Sequence, residues 1–199
     1  MQLIELAAVP SGDIPVAALA SHLRLGTGFT DDGSEDAVLE TYLRSAISAI
    51  EARTGKAVFQ RRFSWTVNNW HGGDKQGLPI APVQLIESVT VSDVDGGTTV
   101  VDGAAYTLVK DSQRPVLAAV SGCLPTIPTL GSVEIVLEAG FGPTWDDVPH
   151  DLRHAILVLA ANYFDHRHGG MDRSHEIPFG VMALLEPYRP MRISAGGRP

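Results

Sequence analysis

Apolar residues recur at helical spacing in three parts of the chain. Between residues 39 and 50 they lie three or four positions apart, and Gly55 follows as the expected stop of a helix. The same spacing over residues 16–23, with Asp13 as the N-cap, predicts a shorter first helix. A third helix is predicted over residues 147–166, where apolar residues cover more than one face. We expect that helix to be central, because a helix that is apolar on most sides must be surrounded.

Alternation with a period of two replaces the helical pattern in the middle of the chain. Phe63, Trp65 and Val67 alternate with small polar residues, and residues 133–137 place apolar side chains at every second position. The sequence Asp95-Gly96-Gly97 predicts a tight turn between two further strands. Strands this close together, joined by turns and not by helices, indicate an antiparallel sheet.

The order of these elements defines the predicted fold. It belongs to the α+β class, as a small helical bundle of three main helices with an inserted antiparallel β-sheet region and a C-terminal arm. The predicted division of the chain is residues 1–57 for the N-terminal helices of the helical core, 58–143 for the β-rich insertion, 144–168 for the central core helix and 169–199 for the C-terminal arm.

Composition narrows the class of protein. The chain has 199 residues, of which 44% are hydrophobic and 19% are charged, so a packed core is expected and whole-chain disorder is excluded. Its longest apolar run, Ala155 to Phe164, is too short to span a bilayer, and Glu5 interrupts the apolar start that a signal peptide would need. A single cysteine, Cys123, excludes an internal disulfide and a thiolate metal site, which indicates a reducing compartment.

The charge balance bears on nucleic-acid binding. The net charge is -8, from 23 acidic and 15 basic residues, and no basic cluster is longer than Arg61-Arg62. Tight binding to DNA draws on counterion release by many basic groups. We therefore expect no strong nucleic-acid binding, whereas an acidic surface past which DNA slides fits the composition.

Histidine spacing raises one catalytic alternative. His150 and His154 are four residues apart with Asp151 between them, which imitates the zinc-protease pattern H-E-x-x-H. The acid is one methylene shorter than the glutamate of that pattern, and no third ligand follows. A second histidine-rich stretch, His166-Arg167-His168 with His175, lacks a spacing that converges on one ion. We expect no metal, no cofactor and no catalytic residue, and a metal-dependent hydrolase that uses His150 and His154 is the alternative hypothesis.

An apolar cluster follows the predicted central helix. It lies between Gly169-Gly170 and Pro190, and residues 177–185 read Ile-Pro-Phe-Gly-Val-Met-Ala-Leu-Leu. Two interpretations stay open: the cluster folds back on the helices of its own chain, or it swings out as an arm that docks on another chain.

Several segments of the chain carry a resemblance to one family of proteins. They include the helix that ends in Glu51-Ala-Arg-Thr-Gly55 and the strand-to-helix turn Glu138-Ala-Gly-Phe-Gly142. The full set is residues 15–25 with Asp31-Asp32, 43–56, 78–89, 95–97, 138–142, 148–161 and 163–167. Together with the order of elements, they make the chain similar to the head–tail connector, or adaptor, proteins of long-tailed bacteriophages, prophages and gene transfer agents.

The resemblance implies a structural role and not an enzymatic one. A connector of this family forms a ring, typically a dodecamer, beneath the portal of a phage-like particle, where it extends the DNA channel and provides the platform for the tail. The implied partners are other copies of the chain, the portal protein, the next tail-side connector or a stopper or terminator protein, and double-stranded DNA that passes through the lumen without specific binding. No membrane partner is implied. The implied location is the head–tail interface of the particle, after assembly in the bacterial cytoplasm.

The resemblance also gives the apolar cluster a partner. As a portal-docking arm it would be desolvated at a few anchor points, and tyrosine and arginine side chains suit such an interface. The residues predicted to bind the portal are Ile177, Phe179, Val181, Met182, Leu184, Leu185, Tyr188 and Arg189.

Overall fold

The computed structural model describes residues 2–25, 34–166 and 177–189. These residues contain four α-helices and eight strands. This confirms the predicted α+β class. The helices are α1 (Val16–His22), α2 (Ser34–Thr54), α3 (His150–Asp165) and α4 (Phe179–Leu185). The strands are β1 (Gln2–Glu5), β2 (Arg61–Val67), β3 (Lys75–Gly77), β4 (Val83–Ser92), β5 (Thr98–Val100), β6 (Tyr106–Val109), β7 (Val116–Ala119) and β8 (Ser132–Ala139).

The helices pack around one hydrophobic core, in which α3 contacts α1, α2 and α4. Leu43 and Ile50 of α2 lie in this core with Ile156 and Leu159 of α3, and all four are fully buried. The helical periodicity predicts this burial. α2 ends at Gly55, whose φ of 65° lies in the left-handed region that glycine adopts without a steric penalty. The central helix of the core is therefore α3.

The strands form two antiparallel sheets. One has five strands in the order β1-β2-β8-β4-β5, and the other has three in the order β3-β7-β6. In the larger sheet Phe63 pairs with Leu137 and Trp65 with Ile135, so these side chains share one face. That face is buried in a second hydrophobic core, which also contains Leu117 of the smaller sheet. The described part of the chain thus has one core among its helices and another against its sheets.

The sequence analysis does not predict β1, β3 or β7, and it misplaces the N-cap of α1. β1 is an edge strand whose residues are all exposed, so it shows no alternation of buried and exposed positions. β3 and β7 have only three and four residues, too few to establish a period. Asp13 is not the N-cap of α1: it lies in a short 3₁₀ turn, and α1 begins at Val16 with Pro15 as its N-cap residue. Asp31 and Asp32 lie outside the described residues.

Leu159→Ala tests the central position of α3. The change removes a fully buried side chain, and we expect it to lower the free energy of unfolding by ~2–5 kcal/mol because the surrounding residues only partly fill the cavity. Val38→Ala on α2 is the control, since Val38 is 45% exposed and its truncation should cost about 0.5 kcal/mol or less. Denaturant melts measure both variants. A loss below about 0.5 kcal/mol for Leu159→Ala would show that α3 is not central.

Candidate interaction surfaces

The C-terminal helix α4 packs against the helical core of its own chain. Two of the eight residues predicted to bind the portal, Val181 and Leu185, are fully buried there. The half-buried residues that pack around them against the core are Ile177, Leu184 and Tyr188. Of the two interpretations that the sequence leaves open, residues 177–189 therefore adopt the first and fold back on their own helices. In this arrangement Val181 and Leu185 have no surface left for a partner.

The exposed side of α4 presents a different set of residues. Phe179 is 88% exposed at the start of the helix. Met182 is half-buried, and Arg189 is exposed and paired with Glu186, with 3.0 Å between Nη1 and Oε2. An aromatic ring in water gains free energy when a partner covers it. Phe179 is therefore the residue of the predicted set best placed to contact another chain, and its contact with a portal stays a prediction.

The end of the C-terminal segment is held by contacts from two directions. The ring of Tyr188 meets the ring of Phe141 edge to face, with 6.3 Å between the centroids. Burial, and then the charge of Asp151, raises the pKa of Tyr188. From the sheet side, Nε2 of Gln113 donates a hydrogen bond of 2.9 Å to the carbonyl oxygen of Pro187. The segment is thus attached to the sheet part of the chain as well as to the helical core.

A buried lysine fixes the loop that supplies Gln113. Lys56 follows α2 and is 2% exposed, and its Nζ donates to the carbonyl oxygen of Ser112 and to Oε1 of Gln113, the latter at 2.8 Å. Burial lowers the pKa of Lys56, and the charge of Asp111 opposes that shift. Asp111 in turn accepts hydrogen bonds from the backbone N–H groups of residues 113 and 114, which closes the turn. Sequence reasoning missed this connection because a lone lysine in a sequence is typical of the surface.

A second buried cation joins the sheet to the helices. Arg61 of β2 contacts Glu51 of α2, with 2.7 Å between Nη2 and Oε2, and Glu5 of β1, with 2.9 Å between Nε and Oε1. Its guanidinium also lies over the ring of Phe63, 5.0 Å from the centroid. Burial disfavours the charged form of Arg61 and by itself would lower its pKa. The carboxylates of Glu51 and Glu5 have the larger combined effect, so the pKa of the guanidinium is raised.

A groove of about 900 Å³ lies in the helical part of the chain. It runs between the start of α1, the first turns of α2 and the turn at residues 144–146. Apolar side chains form much of its walls, among them Ile14, Val16 and Trp145. A groove of this size and lining accommodates a short peptide segment.

Carboxylates line the same groove. They belong to Asp13, Asp36, Glu40 and Asp146. Arg44 binds Glu40 and lowers its pKa, and Arg153 binds Asp146, with 2.7 Å between the charged atoms in each pair. Within residues 2–25, 34–166 and 177–189, neither Asp13 nor Asp36 forms an ion pair. The groove therefore has two carboxylates available to a cationic ligand.

The histidines of the catalytic alternative have other contacts. Nδ1 of His150 accepts a hydrogen bond of 2.7 Å from Nη2 of Arg153, and the ring of His154 meets the ring of His22 at a centroid distance of 6.4 Å. In the part of the chain that the structure describes, no three histidine, cysteine, aspartate or glutamate side chains converge as metal ligands. Cys123 is exposed. Of the second histidine-rich stretch only His166 is described, and Arg167, His168 and His175 lie outside the described residues.

Most arginines of the described residues are engaged in ion pairs with carboxylates. They include Arg44, Arg61, Arg62, Arg153 and Arg189. These guanidinium groups are partly neutralised, so they add little to a basic patch. Among the described helices none is long and apolar enough to cross a membrane.

Comparison with known proteins gives a match along the whole chain. No family model matches it, and no curated protein does. A solved chain in the neck of an empty gene transfer agent particle, computed with C6 symmetry, is 49% identical, with a TM-score of 0.89 and coverage of 100% of both chains. A chain of the virion of a native gene transfer agent particle is 48% identical, with a TM-score of 0.87 over 98% of this chain and 99% of that one. A third, from the neck of a native particle computed with C12 symmetry, is 44% identical, with a TM-score of 0.85 over 100% of both.

His150→Ala combined with His154→Ala tests the metal alternative. Both side chains are exposed, so we expect the melting temperature to stay nearly unchanged. We also expect the purified wild type to carry no stoichiometric zinc, because Arg153 occupies Nδ1 of His150 and no third ligand faces the pair within the described ranges. Elemental analysis of the wild type and the double variant measures this. One zinc per chain in the wild type, lost in the double variant, would contradict it.

Proposed function

Because the chain belongs to the head–tail connector, or adaptor, family of phage-like particles, we propose that it forms a ring beneath the portal of such a particle. There it extends the DNA channel and provides the platform on which the tail attaches. The observation that carries the proposal is the match with gene transfer agent neck chains, at 44% to 49% identity over essentially the full length of each chain. The role is structural, and we assign no catalytic step to any residue.

Twelve copies are the ring size that we propose. Neck structures of the related particles were computed with C12 and with C6 symmetry, and both symmetries are compatible with a ring of twelve chains. A closed ring of identical chains uses a heterologous contact, in which two different surfaces of neighbouring copies meet and the rotation closes.

The portal contact is proposed for the exposed side of α4. Phe179 supplies the anchor, Met182 follows about one helical turn later and Arg189 lies after the end of the helix, while the buried residues Val181 and Leu185 keep the helix in place. Aromatic and arginine side chains dominate the binding energy of protein interfaces when they become desolvated. This arrangement lets the segment dock without leaving its own core. The platform that the ring provides is proposed to bind the next tail-side connector, or a stopper or terminator protein.

Double-stranded DNA is proposed to pass through the ring without specific binding. The chain carries a net charge of -8, and five of its 15 basic residues are arginines that already form ion pairs with carboxylates. A lumen bordered by an acidic protein repels DNA weakly along its whole length, so the duplex meets no strong stopping point.

Phe179→Ala tests the portal contact. We expect the variant to fold with a free energy of unfolding within about 0.5 kcal/mol of wild type, because the ring is exposed. We expect portal binding to weaken by about 2 kcal/mol or more, on the order of thirtyfold, as for an interface anchor. Binding to purified portal rings measures this, and electron microscopy counts the tailed particles.

Val181→Ala is the matched control for that experiment. Its side chain is fully buried, so we expect a loss of stability of roughly 0.5–3 kcal/mol, and unchanged portal affinity while the chain stays folded. Wild-type affinity for the portal in the folded Phe179→Ala variant would overturn the assignment of this residue. A wild-type chain that never joins portal-bearing heads would overturn the proposed function itself.

A gel-shift experiment tests the passage of DNA. At ~0.15 M salt we expect no submicromolar affinity of the isolated chain or the ring for duplex DNA, since that affinity needs several unpaired cations against the phosphates. Submicromolar binding that falls steeply with added salt would show a basic DNA-binding surface and contradict the proposal.

A further inference from the structure

On the basis of the connector function above, we propose that three exposed apolar side chains at one end of the five-stranded sheet bind the protein on the tail side of the ring. They belong to Val94, Val100 and Leu130, and we call them the tip patch. Their exposed fractions are 63%, 69% and 84%. Apolar side chains that are this exposed and lie close together are typical of a surface that another protein covers.

The register of the sheet brings two of these residues together. Ser92 at the end of β4 pairs with Ser132 at the start of β8. Val94 lies two residues after Ser92, and Leu130 lies two residues before Ser132. The two turns that carry Val94 and Leu130 therefore leave the sheet side by side.

The third residue lies on the outer face of the same end of the sheet. Val100 of β5 pairs with Thr90 of β4, two residues before Ser92. Val89, the neighbour of Thr90, is buried in the sheet core. Because successive residues of a strand point to opposite faces, Thr90 and Val100 face away from that core.

Hydrogen bonds hold both turns in shape. Oδ1 of Asp93 accepts from the backbone N–H groups of residues 95 and 97, at 2.9 and 2.7 Å. Gly131 donates its N–H to the carbonyl oxygen of Pro128 at 2.9 Å, and its own carbonyl oxygen accepts from Nδ2 of Asn68 at 3.4 Å. A surface that is already ordered loses little conformational entropy when a partner covers it.

Leu130 has a backbone conformation that is unusual for a leucine. Its φ of 61° lies in the left-handed region, which glycine and asparagine adopt at a lower steric cost. The side chain gains little from burial within its own chain, because most of it is exposed. A partner that covers the side chain accounts for an apolar residue at this turn, where folding alone favours another.

The tip patch lies at the end of the sheet that points away from the helical core. β8 begins at Ser132 beside the patch and ends at Ala139, and its eight residues span roughly 26 Å. Just beyond that far end, Gly142 pairs with Phe59, which belongs to the helical core. α4 with Phe179 packs on the same core. The patch and the proposed portal contact are thus separated along the chain's fold, as a connector between two partners requires.

The charges around the tip patch indicate the chemistry of the partner. Residues 90–100 and 130–134 contain the carboxylates of Asp93, Asp95 and Glu134 and no lysine or arginine. An apolar patch with an acidic border fits a protein that offers an apolar pocket bordered by basic residues. A second copy of this chain is a poor source of such a border, because its net charge is -8 and most of its described arginines are engaged in ion pairs.

Joining of heads and tails in vitro tests the tip patch. Portal-bearing heads and free tails are prepared from cells that lack this chain, and the purified full chain is added to the mixture. Electron microscopy counts the rings on the heads and, separately, the heads that have joined a tail. The wild-type chain is expected to restore both counts.

Substitutions at the two turns define the expected result. Leu130→Asn removes the apolar side chain and introduces a residue that tolerates the left-handed backbone. Combined with Val94→Asn, we expect it to leave the rings on the heads unchanged and to lower the joining of tails roughly thirtyfold, as for the loss of interface anchors. Leu130→Met keeps an apolar side chain and should keep joining at the wild-type level.

Val109→Asn is the matched control, because Val109 is 49% exposed and lies on β6 outside the patch. We expect it to change neither count. A melt of each variant checks the fold. Val100→Thr, which keeps a β-branched side chain on β5, is the second probe where the turn variants do not fold, and it should lower joining by a few-fold.

The two counts separate the possible failures. Wild-type joining by the folded double variant would overturn the proposed role of the tip patch and leave the ring intact. Loss of the rings themselves in the double variant, but not in Val109→Asn, would contradict the tail-side assignment, because the patch would then contact another copy or the portal. A wild-type chain that restores neither count would argue against the proposed function itself.

Discussion

One buried guanidinium sets the relation between the helices and the sheets. The side chain of Arg61 on β2 meets Glu51 of α2 on one side and Glu5 of β1 on the other, so one charge joins three elements, of which β1 is distant in sequence from the other two. Glu51 also accepts a hydrogen bond of 2.7 Å from the backbone N–H of Val58, in the connection between α2 and β2. A cation that is this well covered is costly to leave without its partners, so the geometry is strongly specified. The helical core and the sheet core can therefore not shift against each other without breaking this ion pair.

The C-terminal segment, residues 177–189, is attached to both the helical core and the sheet part of the chain. Val181 and Leu185 bind it to the helical core, and Gln113 ties Pro187 to a loop of the smaller sheet. That loop is in turn fixed by Lys56, which follows directly from α2 and Gly55. A partner that contacts Phe179 therefore binds a helix supported from both parts of the chain. For a connector this support matters more than any single contact, because a ring that joins two assemblies must hold their relative position.

The sequence alone predicts the long elements well and the short ones poorly, for physical reasons. α2 and α3 extend over several turns, so the helical period of their buried residues is visible. β1 has four exposed residues and owes its existence to pairing with β2, which no local pattern records. The sequence leaves open whether the apolar cluster at the C-terminus folds back on its own helices or docks on another chain, and either interpretation treats the cluster as one unit. In a helix, however, residues 181 and 185 share a face and residue 179 lies on another, so a single cluster divides into a buried and an exposed side.

The candidate surfaces show why a connector leaves so few signs in its sequence. Catalysis needs particular residue types at fixed spacing, and such a pattern can be recognised without a structure. Binding between large assemblies needs only that a few side chains stay uncovered after the chain has folded, and the fold decides which ones. Phe179 is an ordinary residue in the sequence, and it becomes distinctive because the fold buries Val181 and Leu185 of the same helix and leaves Phe179 exposed. Side chains that stay exposed after the chain has folded are thus the candidates for its contacts with other proteins.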